Sequence, residues 1–177
     1  MKKLFLSAAI LTSLILLFAF TLPQNWAIGD KYNITFSTNG ASGIFKKFTG
    51  NIIFDEQNTA ASKFDVAIDV NSINTGNGMQ NKDAKEADWF DAAKYPVIKY
   101  TSKKIVKTGT TYQVTGDLQM HGITKELTIP FTFKRTGNGG TFDGVFNVSR
   151  NDFKIGAPDA EVGVNIKLTV SVPVIKK

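Results

Sequence analysis

The sequence predicts an all-β protein, an antiparallel β-barrel of about eight short strands with one short helical insertion. Apolar and polar residues alternate with period two in eight segments, which is typical of strands with one buried face. Turn-forming residues such as Asn39-Gly40 and His121-Gly122 separate these segments. Helical periodicity is almost absent after residue 25. A barrel or a sandwich fits this pattern, and the even spacing favours the barrel, which leaves no free sheet edge.

The first 25 residues have the form of a secretory signal. Lys2 and Lys3 precede an uncharged, mostly apolar run from Leu4 to Phe20. Because this run is at the short limit for a membrane span and no clean cleavage site follows it, an uncleaved N-terminal anchor stays an alternative. We therefore expect residues 26–177 to form one exported domain, periplasmic or secreted, with membrane association through the N-terminal segment if the anchor is kept.

Eight alternating segments are the candidate strands. The most regular is Leu127–Phe133, in which the odd positions are apolar and the even positions are largely polar. In Ile52–Phe54 the apolar run is continuous, so either face could turn inward, and a slip of one residue would exchange the two faces. The eight segments are Tyr32–Phe36, Ile44–Phe54, Phe64–Val70, Val97–Ser102, Tyr112–Met120, Leu127–Phe133, Phe142–Val148 and Val162–Val172.

One stretch departs from the strand pattern. Asn81–Lys94, with the sequence NKDAKEADWFDAAK, is rich in helix-forming residues and ends before Tyr95-Pro96, where proline disfavours helical geometry. We expect a short helix or two turns there. The preceding glycine-rich stretch, Asn74–Gly78, is predicted to be a turn.

Composition excludes several function classes. The chain has no cysteine and one histidine, which excludes a disulfide scaffold, a thiol nucleophile, Cys-ligated zinc and a histidine cluster, so we expect no metal and no cofactor. The formal charge of +6 comes mainly from scattered lysines, and it falls to +4 without residues 1–25. No basic run is interleaved with aromatic residues, so no nucleic-acid partner is predicted.

An enzyme is also disfavoured by the sequence. His121 is the one imidazole, and it is either a general base or metal ligand, or, as we favour, a turn residue bonded to a neighbouring backbone group. No GxSxG nucleophile motif and no phosphate-binding glycine loop accompany it. We therefore predict no catalytic residue.

The aromatic content leaves two interpretations. Eleven of the 14 phenylalanines follow the N-terminal segment, mostly on the apolar strand faces. They could fill a solid core, or they could line an apolar cavity, since an eight-stranded barrel either is filled by side chains or holds one small ligand. The candidate cavity residues are Phe36, Phe45, Phe48, Phe64, Val66, Ile68, Phe131, Phe133, Phe142 and Phe146.

Five segments, in order, resemble the YceI-like family of exported lipid- and polyisoprenoid-binding proteins. The resemblance spans residues Trp26 to Val174, although the chain lacks histidines that the family commonly carries near residues 32 and 83. The segments are GIFKKFTGNIIFDEQN (43–58), FDVAIDVNSINTGN (64–77), ADWFDAAKYPVIKYTS (87–102), YQVTGDLQMHGITKELTIPF (112–131) and RNDFKIG (150–156).

The resemblance implies an extended lipocalin-like barrel whose interior binds an isoprenoid-like or other amphiphilic lipid without catalysis. The candidate cavity mouth lies within Asn71–Lys85 and the segment after it, with Asn74, Asn77, Met79, Trp89 and Phe90 as its residues. The alternative is a structural or interaction module of the cell envelope, with a barrel that side chains fill.

Overall fold

The computed structural model describes residues 24–177. The predicted signal or anchor lies outside the described residues, apart from Gln24 and Asn25. Eleven strands form one antiparallel sheet in this part of the chain: β1 Asn25–Ile28, β2 Asn33–Thr38, β3 Ala41–Phe45, β4 Phe48–Ile53, β5 Lys63–Asp69, β6 Ile73–Asn74, β7 Val97–Thr108, β8 Thr111–Met120, β9 Ile123–Thr136, β10 Gly139–Ser149 and β11 Asn165–Lys176.

The sheet closes into a barrel because β1 pairs with both β4 and β11. Strands β1 and β2 follow one another along the same edge of β11, so they act as one bent strand. The same holds for β3 with β4 and for β5 with β6, which pair in series with their neighbours. The result is an eight-stranded barrel in which strands that are consecutive in the chain are neighbours. The predicted all-β, lipocalin-like antiparallel barrel of about eight strands is confirmed.

The short helical insertion is confirmed as well, but its bounds differ from the prediction. Helix α1 spans Gly78–Asp83, because the side chain of Asn77 accepts hydrogen bonds from the backbone N–H groups of Met79 and Gln80 and so caps the first turn. Turns follow α1 up to Lys94, and Asp91 has a positive φ of 45°, which is incompatible with a continuing helix. The predicted turn at Asn74–Gly78 therefore contains the helix cap.

One end of the barrel is filled by packed aromatic rings. Trp26 and Phe54 are fully buried there, and the Trp26 indole N–H donates a hydrogen bond of 2.9 Å to the Phe54 carbonyl. Ring centroids lie 4.5–6.1 Å apart, mostly in edge-to-face or tilted pairs, the geometry that aromatic quadrupoles favour. We call this the closed end. Its residues are Trp26, Phe54, Phe64, Tyr112, Phe131, Phe133 and Phe142.

The other end is covered by two segments that join strands. The first is residues 75–96, between β6 and β7, and contains α1; we call it the mouth insertion. The second is residues 150–164, between β10 and β11; we call it the mouth loop. They are linked directly, since Gly156 N–H donates a hydrogen bond of 2.9 Å to the Asp88 carbonyl. These two segments border the barrel interior opposite the closed end.

Candidate functional site: an apolar cavity inside the barrel

The barrel encloses a cavity of about 400 Å³ between the closed end and the mouth segments. Its walls are the inward-facing residues of the strands. For example, Ile34, Val170 and Gly144 are register partners on β2, β11 and β10, and all three line it. The volume falls in the range of small-molecule sites, roughly 300–1,000 Å³. The wall side chains are almost entirely aliphatic or aromatic, and the polar ones lie mainly among the residues near the mouth.

Nine of the ten residues predicted to line a cavity do border this space: Phe36, Phe45, Phe48, Phe64, Val66, Ile68, Phe131, Phe142 and Phe146. Phe133 does not. Its ring packs 5.3 Å from the Trp26 ring and 5.1 Å from the Phe54 ring, inside the closed end. Phe133 shares the inward face of β9 with Phe131, but it lies two residues further along the strand and is below the cavity floor.

The floor of the cavity is the upper surface of the closed end. Phe64, Phe131 and Phe142 border the cavity, and each also contacts the ring of Phe54 at centroid distances of 6.1, 5.8 and 5.2 Å. The two interpretations of the aromatic content therefore apply to different parts of one barrel. Rings fill the closed end solidly, and the rest of the interior is hollow.

The structure places the predicted mouth residues in two groups. Trp89 and Phe90 border the cavity. Asn74, Asn77 and Met79 do not: Asn74 accepts a hydrogen bond from Gly76 N–H, Asn77 caps α1, and the side chain of Met79 is 74% exposed. The two asparagines therefore hold the backbone at the start of the mouth insertion and do not line the cavity.

Helix α1 turns a different set of side chains toward the cavity. Gln80 and Asp83 of the helix and Ala84, its C-cap, line it, and their spacing of three and four residues puts them on one face. Thr75 contributes from the segment before the helix. The sequence predicted the segment that forms the mouth, but which of its side chains face the cavity depends on where Asn77 caps the helix.

The sequence did not single out Arg150 as a site residue, yet it is the one buried charged side chain among residues 24–177, with 3% exposed. It begins the mouth loop and borders the cavity. Its guanidinium donates hydrogen bonds to the backbone carbonyls of Val162, Gly163, Ile155 and Ala157 at 2.7–3.3 Å. The RNDFKIG segment contains Arg150, but nothing in the side-chain sequence marks it as buried, because its main partners are backbone carbonyls.

Tyr100, on β7, is the other cavity residue with a buried polar group. Its hydroxyl lies 3.0 Å from the carbonyl oxygens of both Val114 and Leu127, which share its single hydrogen as acceptors. Gly116 leaves room for the ring, since a Cβ there would come within 2.9 Å of Tyr100 Cζ. Burial, with smaller contributions from Asp117 and Glu126, raises the pKa of Tyr100 well above its ordinary value of 10.0.

The raised pKa of Tyr100 predicts a loss of stability in alkali. Folding favours the neutral phenol, so its contribution is complete below pH 10 and is lost as the pH rises above the pKa of an unfolded tyrosine. We expect Tyr100→Phe to cost about 1 kcal/mol at pH 7 through the lost hydrogen bond, with a difference that shrinks above pH 10. Urea unfolding of both proteins at several pH values measures this. A difference that stays constant from pH 7 to pH 11 would contradict it.

His121 lies outside the cavity lining. It sits in the turn between β8 and β9 with a φ of 51°, and its ring packs 5.0 Å from the ring of Tyr95. The Nδ1 atom is 2.9 Å from the carbonyl oxygen of Phe153, which can only accept, so Nδ1 carries the proton and donates. This arrangement favours the interpretation of His121 as a turn residue that anchors the mouth loop.

Residues 24–177 contain no group of three or more potential metal ligands. Over the same residues, no helix is long and apolar enough to cross a membrane.

Comparison with known proteins identifies the family of this barrel. A family model, the YceI-like domain, matches residues 25–174. The chain belongs to the YceI-like family. Protein YceI of Escherichia coli O157:H7 is 33% identical over 140 residues, which are 73% of this chain and 71% of that protein. The resemblance that the five sequence segments indicated is thereby confirmed.

Solved structures of similar proteins share this barrel fold. The crystal structure of Burkholderia cenocepacia BcnA has a TM-score of 0.80 and 29% identity, and the match covers 83% of this chain and 99% of BcnA. A domain from Saccharophagus degradans described as polyisoprenoid binding has a TM-score of 0.66 and covers 88% of this chain and 99% of that domain. At 14% identity, the second similarity shows the fold alone.

Proposed function

We propose that this YceI-like protein is a non-enzymatic binding protein that holds an isoprenoid-like or other amphiphilic lipid in its barrel. The observation that carries the proposal is the cavity of about 400 Å³, with apolar walls, an aromatic floor and polar groups concentrated at the mouth. An amphiphile has the same polarity profile, with an apolar tail and a polar head. The polyisoprenoid-binding description of the Saccharophagus degradans domain supports the same ligand class.

Burial of an apolar tail supplies enough free energy for lipid binding, and no catalytic group is needed. At the packing density of protein interiors, about 0.74, the cavity holds on the order of 15 carbon atoms. Each buried methylene contributes about 0.8 kcal/mol, so such a tail offers on the order of 10 kcal/mol before the costs of association and ordering. Shape and apolar area therefore suffice for tail binding, and the polar mouth residues would orient the head group.

The direct test is to identify what the protein carries. We expect protein purified without detergent to release an isoprenoid or other amphiphilic lipid on extraction with organic solvent, detected by mass spectrometry. The unfolded protein, extracted in the same way after a denaturing wash, is the control for lipid that adheres nonspecifically. If the extract is empty and delipidated protein takes up no prenyl lipid, the lipid-binding proposal is refuted, and the envelope-interaction alternative should then be pursued by capture of a stoichiometric partner.

We also propose that the protein is exported, periplasmic or secreted. The support is Lys2-Lys3 followed by the uncharged run Leu4–Phe20. The mass of the protein recovered from the envelope or medium distinguishes a cleaved signal from a retained anchor. Recovery of the full-length chain from the cytoplasm alone would contradict export.

A further inference from the structure

We infer that the cavity mouth contains an anion subsite formed by Arg150, and that the bound lipid carries an anionic head group, a carboxylate or a phosphate. The inference rests on the proposed lipid binding and adds the chemistry of the head. Its starting point is a buried positive charge that the protein does not neutralise.

Within residues 24–177, Arg150 has no carboxylate partner. The ion pairs of residues 24–177 join other side chains, such as Lys125 with Asp152 and Arg135 with Glu56. The partners of Arg150 are backbone carbonyls and the side-chain amide oxygen of Asn151. These dipoles solvate a cation, but they leave its full charge in place. Arginine is rarely buried to this extent without a counter-charge, because burying an unpaired ion is costly.

The guanidinium also has donor capacity to spare. Nη1 has three acceptors for its two hydrogens: the side chain of Asn151 and the carbonyls of Ile155 and Ala157. Nη2 also carries two hydrogens, but within residues 24–177 only the Val162 carbonyl accepts from it, at 3.0 Å. One N–H therefore remains for a ligand oxygen.

The surroundings fix the guanidinium beside the cavity. Arg150 borders the cavity, and its guanidinium carbon lies 5.6 Å from the centre of the Trp89 ring, which covers one face of the cation. Trp89 in turn packs against Gly156, where a Cβ would come within 2.8 Å of the ring. Asp83 is the acid that borders the same mouth, but it is exposed and forms no ion pair with Arg150. The fixed cation is thus the main buried charge that a lipid head group would meet.

A ligand series on the unaltered protein tests the inference without requiring any variant to fold. We would titrate delipidated protein with farnesyl monophosphate, farnesol and inorganic phosphate, and follow tryptophan emission, because Trp89 lies at the mouth and Trp26 at the closed end. We expect farnesyl monophosphate to bind at least about tenfold more tightly than farnesol, as a charge-assisted hydrogen bond allows. Inorganic phosphate should bind far more weakly than either.

The salt dependence of the preference for phosphate over alcohol distinguishes an effect of Arg150 from an effect of the exposed lysines of the mouth. A preference due to surface lysines should disappear at high salt, whereas one due to a buried cation should persist between about 0.1 M and 0.5 M salt. Equal affinity for farnesol and its phosphate, loss of the preference in salt, or binding of inorganic phosphate as tight as that of the prenyl phosphate would each overturn the anion subsite. Tight farnesol binding with no preference would leave the lipid-binding proposal intact. Failure of both prenyl ligands would refute that proposal too.

Variants assign the preference to one residue. We expect Arg150→Gln to bring the affinity ratio of phosphate to alcohol close to one. Arg135→Gln is the matched control, since Arg135 is the other arginine of the chain and lies beside Trp26 at the closed end, and it should leave the ratio unchanged. A purely structural role for Arg150 would lower stability and leave the ratio as it is, which would contradict the inference. If Arg150→Gln does not fold, the affinity ratio of the wild-type protein and the salt dependence of that ratio test the anion subsite.

Discussion

Replacing Phe54 by alanine should lower the free energy of unfolding by about 3–5 kcal/mol, the range for deleting a fully buried phenylalanine. Phe54 is 0% exposed at the centre of the closed end. The loss combines the transfer of a large ring to water with a void that surrounding rings, held by the strands, cannot fill. Five ring centroids lie within 5.1–6.1 Å of it, those of Phe64, Tyr112, Phe131, Phe133 and Phe142.

Urea unfolding of delipidated protein measures this loss, and Phe146→Ala is its matched control. Phe146 carries the same side chain on β10, but it borders the cavity and is only partly buried. We therefore expect Phe146→Ala to lose less than half as much stability as Phe54→Ala, and to weaken lipid binding instead. Equal losses for the two variants would mean that the closed end is no better packed than the cavity wall.

The contrast between these two phenylalanines reflects a difference in packing along the barrel axis. Side chains that face a cavity lack packing partners on one side and so lose dispersion contacts. A barrel hollow throughout would lack those contacts along its whole length, whereas here Trp26, Phe54 and their neighbours concentrate apolar burial at one end. The closed end thus stabilises the fold and also sets the depth to which a ligand tail can enter.

Much of this fold could be predicted because alternation reports directly which strand face is buried. Phe64, Val66 and Ile68 alternate in the sequence and border the cavity in the structure. Where alternation was ambiguous, pairing decided: Ile52 lies opposite Phe64 on β5 and Trp26 on β1, so Ile52 faces inward and Ile53 does not.

The sequence could not predict how far along the barrel axis an inward-facing side chain lies, or which side chains of the helix face the cavity. Phe133 lies on the apolar face of β9, as alternation predicts. Alternation does not show how far along the barrel axis a residue lies, because that depends on the stagger of the strands, so the position of Phe133 below the cavity floor could not be predicted. Gln80 and Asp83 face the cavity only because the helix starts after Asn77, which fixes the direction of each side chain around the helix axis. Arg150 could not be predicted because its partners are carbonyls of the mouth loop, and carbonyl positions leave no mark in side-chain identity.

Filling the cavity should weaken lipid binding strongly while the fold is retained. Val170 on β11 borders the cavity, and its register partner on β10 is Gly144, which has no side chain to oppose a larger residue. We expect Val170→Trp to place its indole in the space of about 400 Å³ that a ligand tail would occupy. Displacing several buried methylenes at about 0.8 kcal/mol each predicts a loss of affinity of at least about tenfold.

Thr169→Trp is the matched control, because Thr169 immediately precedes Val170 on β11 and is exposed on the outer face. It introduces the same side chain without entering the cavity, so it should bind farnesyl monophosphate like the unaltered protein. Unfolding by urea should show both variants within about 2 kcal/mol of the parent, because added volume in a cavity costs less than in a packed core. If both variants bind prenyl lipid equally, the lipid lies outside the barrel. If Val170→Trp alone loses binding while it stays folded, the tail lies inside the barrel, against β11.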